Sequence, residues 1–144
     1  MIRRSARRAI ALLALLALLA APVMAGEDKD AIGVELNRLE DHDDSCRAYL
    51  VFRNPGAQSY VGFKLDLVVF DRAGIVAQRL AVEAAPLRPA KTEVKVFDIP
   101  QTRCATIGSI LVNDVLACRD PEGEIAGCVE RLTASSKLEV SLIK

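Results

Sequence analysis

Val61-Gly62-Phe63-Lys64-Leu65-Asp66-Leu67-Val68-Val69-Phe70-Asp71-Arg72-Ala73-Gly74 is the stretch on which the fold class turns. Phe63, Leu65, Leu67 and Val69 fall on one side of an extended chain and Lys64 and Asp66 on the other, the period-two pattern of a strand with one buried face. Asp71 to Gly74 then reads as a turn, with Gly74 supplying a left-handed residue. Residues 75–82 should therefore return antiparallel beside residues 61–70 as a hairpin.

The same alternation recurs on either side. Upstream, Ile32, Val34 and Leu36 oppose Glu35 and Asn37, and Ala48, Leu50 and Phe52 oppose Arg47, Tyr49, Val51 and Arg53, with Asn54-Pro55-Gly56 ending that run. Downstream, Pro86 and Pro89 mark a loop. A fifth strand covers residues 92–99, Val94 and Val96 facing away from Phe97 and Ile99, and Pro100 stops it. Residues 107–117 are almost continuously apolar apart from Ser109, Asn113 and Asp114. They read as a central strand buried on both faces, with a bulge or strand end at Asn113-Asp114. A last strand is expected over residues 138–143 with Leu138, Val140 and Leu142 inward, and a short helical turn over residues 125–132. About seven short strands separated by turn signals predict an all-β, antiparallel β-sandwich.

The head of the chain is of another kind. Met1-Ile2-Arg3-Arg4-Ser5-Ala6-Arg7-Arg8 precedes an apolar run of 13 residues, 9–21, and then Pro22-Val23-Met24-Ala25. A basic start, an apolar run too short to cross ~30 Å of hydrocarbon and small residues before a polar segment predict a signal peptide over residues 1–25, cut after Ala25. Twin-arginine export ranks second to general secretion, because Arg7-Arg8 follows Ala6 rather than Ser or Thr and precedes Ala9-Ile10-Ala11. No Cys stands directly after the apolar run, which disfavours a lipid anchor. Cleavage would leave residues 26–144 as one domain of 119 residues, enough for a single core. It would also remove four arginines, leaving 15 basic against 19 acidic residues, a net charge of −4. A negative surface with scattered basic residues disfavours nucleic acid and anionic membrane as partners.

Cys46, Cys104, Cys118 and Cys128 form an even set in an exported chain, which reads as two disulfides in a periplasmic or secreted protein. Three pairings are open. The loop between Cys118 and Cys128 is short and rich in turn formers, so a bridge there closes easily, leaving Cys46 for Cys104. If successive strands run up and down, those two lie near the same end of the domain. Redox use would need a low-pKa thiol, usually in a C-x-x-C pair at a helix start, and none of the four has that setting.

Phe70-Asp71-Arg72-Ala73-Gly74-Ile75-Val76, followed by Ala85-Pro86-Leu87-Arg88-Pro89-Ala90-Lys91-Thr92 and Val94-Lys95-Val96-Phe97-Asp98-Ile99, resembles a pattern of exported immunoglobulin-like modules: a hairpin, a Leu-x-Pro-x-Lys-Thr loop and a strand. With Cys46-Arg47-Ala48-Tyr49-Leu50-Val51-Phe52 and Val112-Asn113-Asp114-Val115-Leu116-Ala117-Cys118, the chain is also similar to small exported proteobacterial proteins of unknown function, some labelled as carrying a twin-arginine signal. The resemblance implies an immunoglobulin-like sandwich and brings no catalytic residue. The chain has no Trp to pack on an inter-sheet bridge of the antibody kind.

Function is bounded mainly by what the residues lack. His42 is the single imidazole, set among Glu40, Asp41, Asp43 and Asp44 with Cys46 nearby, and no G-x-S-x-G or Gly-rich phosphate loop occurs. Structural zinc normally shows paired ligands at short spacing, so residues 40–44 read as a solvated acidic loop with no metal and no cofactor. The reading is a non-catalytic structural or protein-interaction module that meets another envelope protein through a sheet edge or through residues 120–136, the longest expected connection. The alternative is a periplasmic metal-binding or enzymatic protein that uses the His42 loop.

Overall fold

The computed structural model describes residues 30–144, so the signal peptide expected over residues 1–25 and its cut after Ala25 lie outside the described residues. Nine strands follow in order: β1 (Ile32–His42), β2 (Ser45–Asn54), β3 (Gly62–Asp71), β4 (Val76–Glu83), β5 (Lys91–Pro100), β6 (Ile107–Asp120), β7 (Gly123–Glu124), β8 (Leu132–Ser136) and β9 (Ser141–Ile143). Among the described residues one 3-10 turn, Cys104–Thr106, leads into β6. One sheet runs β5-β2-β1-β8. The other runs β4-β3-β6-β7, with β9 also paired to β6.

One apolar core joins the two sheets, as in a sandwich. Ile32, Val34, Leu36, Leu50 and Phe52 come from one layer and Phe63, Leu65, Leu67, Ile110 and Val112 from the other. Each is an alternate residue of its strand, so the periodicity places their side chains on the buried face. In β1 the alternation breaks once. The register against β2 shifts between Leu36 and Arg38, and the extra residue turns Leu39 back toward the core.

The hairpin at Asp71-Arg72-Ala73-Gly74 forms for the expected reason. Gly74 takes φ of 79°, and the Asp71 carboxylate accepts the N–H groups of Ala73 and Ile75, both at 2.9 Å. The sulfurs close as Cys46–Cys104 and Cys118–Cys128. The Asp41 carboxylate, accepting the Cys104 N–H at 2.8 Å, ties the first bridge to the tip of the β1–β2 hairpin.

Several expectations need correction. The sheets are mixed rather than antiparallel, because β8 pairs parallel to β1 and β9 parallel to β6. Residues 125–132 form no helix; Cys128 to Arg131 make a hydrogen-bonded turn, with Leu132 N–H on the Val129 carbonyl at 3.2 Å. The expected last strand over residues 138–143 shrinks to β9, while β8 lies inside what reads as a connection. Nor is β6 buried on both faces: Ile107, Ile110, Val112 and Cys118 are inside, and Asn113, Asp114 and Leu116 face solvent. Its outer face has no third layer to bury it, although the expected irregularity at Asn113 is there as a register shift against β3.

Candidate functional site

β6, at 14 residues, is longer than any strand beside it, and β3 pairs along most of one side. On its other side β9 covers Ser109 to Leu111 and β7 covers Arg119 and Asp120. Residues 112–117 therefore have a strand partner on one side only, among the described residues.

Local chemistry explains why β7 ends so soon. The Asp120 carboxylate accepts the N–H groups of Glu122 at 2.8 Å and Gly123 at 2.9 Å, which closes the turn through Pro121. These bonds, with a further one from Gln58, hold its carboxyl below the ordinary range, the Glu122 N–H contributing most and burial opposing. After Glu124 the chain leaves the sheet: Gly127 adopts φ of 72°, and Cys128 is pulled back onto Cys118. Two cations then fix the departing segment. Arg131 donates to the carbonyls of Ala126 (2.7 Å) and Gly127 (3.1 Å), and Lys144 Nζ to those of Val129 (3.1 Å) and Glu130 (3.3 Å).

Between this braced segment and the open stretch of β6 lies a groove of about 260 Å³, walled by Asp114 to Cys118 on one side and by Glu124, Ile125 and Gly127 to Glu130 on the other. Its charged lining is Asp114, Glu124 and Glu130, with no Lys, Arg or His. Glu124 faces Arg119, a neighbour outside that lining, at 3.8 Å. The groove thus offers negative charge and strand backbone, with Val115, Ile125 and Val129 among its lining residues. Leu116, 51% exposed, projects at its edge.

The outer face beside it is held by a buried carboxylate. Asp66 of β3 is 2% exposed although it points away from the core; Arg79 grips it at 2.8 and 2.7 Å and Asn113 donates at 2.6 Å. Arg79's bonds dominate in holding the Asp66 carboxyl below its ordinary range, burial opposing and Asn113 adding to the effect. Alternation within β3 by itself puts Asp66 on the face away from the core. Its burial depends on partners from β4 and β6, which periodicity within β3 does not reveal.

The acidic cluster around His42 lies elsewhere and is not a loop. Glu40, Asp41 and His42 belong to β1, and the turn itself is only Asp43-Asp44, with Asp43 at φ of 50°. Hairpin pairing extends further than charge suggested because Glu40 finds Arg38 (3.1 Å) and the Tyr49 hydroxyl (2.9 Å), so the charges are matched along the strands. His42 is exposed, its Nδ1 3.4 Å from the Asp43 carboxylate. Among the described residues no group of three or more His, Cys, Asp or Glu is arranged to hold a metal ion. All four cysteines are bonded in pairs.

Sequence reasoning placed attention on residues 120–136 but missed the groove and β8. The available signal was Val115-Leu116-Ala117, three apolar residues in a row after Asp114, which no single strand face can bury. No family model, curated protein or solved structure matches this chain.

Proposed function

We propose that this chain is an exported, non-catalytic interaction module of the cell envelope that meets a partner protein through the open edge of β6 and the segment beside it. The observation that carries the reading is the pairing gap over residues 112–117, set against a braced groove wall. His42 lies outside the groove lining, which favours this reading over catalytic or metal use of the hairpin tip. Export is supported by the signal-like head and by two disulfides, which are compatible with an oxidising compartment. An immunoglobulin-like grouping is supported by β5-β2-β1 facing β4-β3-β6, while the parallel β8 and β9 are additions to it.

A photoreactive amino acid placed at Leu116, with Val94 on the outer face of β5 as the control position, tests the reading in the protein's own cells. The expected result is a discrete heavier adduct from Leu116 and none from Val94. Adducts from neither position, or equal adducts from both, overturn it.

A further inference from the structure

The exposed strand edges of this domain are not equivalent. β5 is an edge strand, but Glu93 and Lys95 lie opposite the inward residues Phe52 and Leu50, so two charges point toward the core side of that edge. Glu93 is held by Arg88 at 2.8 Å and Lys95 by the Pro86 carbonyl at 3.0 Å. On β4 the inward position opposite Val69 is Gln78, whose amide oxygen accepts from Thr102 at 3.1 Å. Inward polar groups of this kind discourage a further strand from docking, because its apolar side chains would meet them. On β8, five residues long, Ser136 Oγ donates to the Val140 carbonyl at 2.6 Å and accepts the Leu138 N–H, so the chain itself closes over the strand end.

Residues 112–117 carry no such guard. Their inward positions, opposite Leu67 and Leu65, are Val112 and Val115. The stretch spans roughly 20 Å at about 3.3 Å per residue, the length of an ordinary strand. Two register shifts, at Asn113 and Leu116, twist it and limit an added strand to a few ladder bonds. Discrimination must then come from side chains, and the charges lining the groove are the carboxylates of Asp114, Glu124 and Glu130.

We propose that residues 112–117 accept, as an added strand, an extended segment of a partner protein in which lysine or arginine alternates with small apolar residues. The backbone of β6 supplies the ladder, Leu116 and Val129 meet the apolar positions, and the three carboxylates meet the cations. The inference rests on the interaction reading above and names the chemistry of its partner.

The test uses the oxidised protein and a synthetic eight-residue peptide alternating lysine and valine. Its controls are the glutamate-valine counterpart and a version N-methylated along one edge, which keeps its charge but cannot pair. Fluorescence anisotropy should show saturable binding of the lysine peptide alone, weakened at least tenfold in the Asp114→Asn/Glu130→Gln variant, whose exposed substitutions leave the circular dichroism spectrum unchanged. Amide hydrogen exchange should slow within residues 112–117 on binding. Absence of binding, equal binding of the N-methylated peptide, an unaffected variant, or protection confined to other strands each overturns the proposal. A Leu116 adduct in cells combined with failure of the lysine peptide would remove the basic-strand assignment and leave the interaction reading standing; loss of both would remove both.

Discussion

Replacing Cys46 and Cys104 together by alanine should cost this domain more stability than replacing Cys118 and Cys128. The reason lies in the unfolded chain, because a cross-link lowers its entropy by an amount that grows with the logarithm of the loop it closes. The first bridge spans a sequence separation of 58 and the second a separation of 10. In the chain-entropy description those loops correspond to about 4.2 and about 2.7 kcal/mol at 25 °C. Unfolding entropy of about 2.1 cal/mol/K per residue over the described chain gives about 0.24 kcal/mol/K, so the melting temperature should fall by about 17 °C and about 11 °C respectively. Cys118 and Cys128 are both buried whereas Cys104 is only partly so, and the void left by two buried sulfurs narrows that difference without reversing it. The assay is urea unfolding followed by far-ultraviolet circular dichroism, with both variants expected to show a larger m value as the unfolded chain expands. The loops do not overlap, so the quadruple variant should lose about 7 kcal/mol, most of the stability of an ordinary domain. Equal losses, or a greater loss from the shorter loop, would refute the reasoning.

Three further outcomes follow from the packing. Asp66→Asn should destabilise at neutral pH, because Arg79 and Asn113 lose the carboxylate they hold. The Asp66 carboxyl is depressed in the folded protein, so the stability it contributes is present above its ordinary value of 3.8 and disappears as pH falls through the folded value. The gap between the urea midpoints of the two proteins should therefore narrow as pH is lowered below 3.8 toward 2, and an undiminished gap at pH 2 would count against the ion pair. Gly108→Ala should cost about 1–3 kcal/mol, since a Cβ at Gly108 meets the backbone of Asp71 and Arg72 rather than a movable side chain; an unchanged thermal midpoint would show that the β3–β6 approach is looser than described. Leu132→Ala should cost about 2–5 kcal/mol, because Leu132 is buried in the core; a loss under 0.5 kcal/mol in urea unfolding would mean that β8 is a surface connection after all.

What the residues alone determined was the local geometry. Alternation over residues 61–70 and residues 46–54 set which face of β3 and β2 carries the core, since side chains of an extended chain project to opposite sides whatever lies next to them. Gly74 and the Asp71 carboxylate set the hairpin for the same local reason, and loop length pointed to the short cysteine pair. What only the tertiary structure decided was every feature that depends on a distant neighbour. Leu132 to Ser136 carries too few apolar residues to declare itself a strand, and its partner β1 lies about a hundred positions away, so its place and its parallel sense come from packing. Asp66 is buried by side chains of two other strands, and the groove exists because the chain abandons β6 at Glu124 to enter the opposite sheet. A strand's own periodicity tells which way its side chains point; which strand lies alongside, and where none does, is settled by long-range pairing that no short window of residues contains.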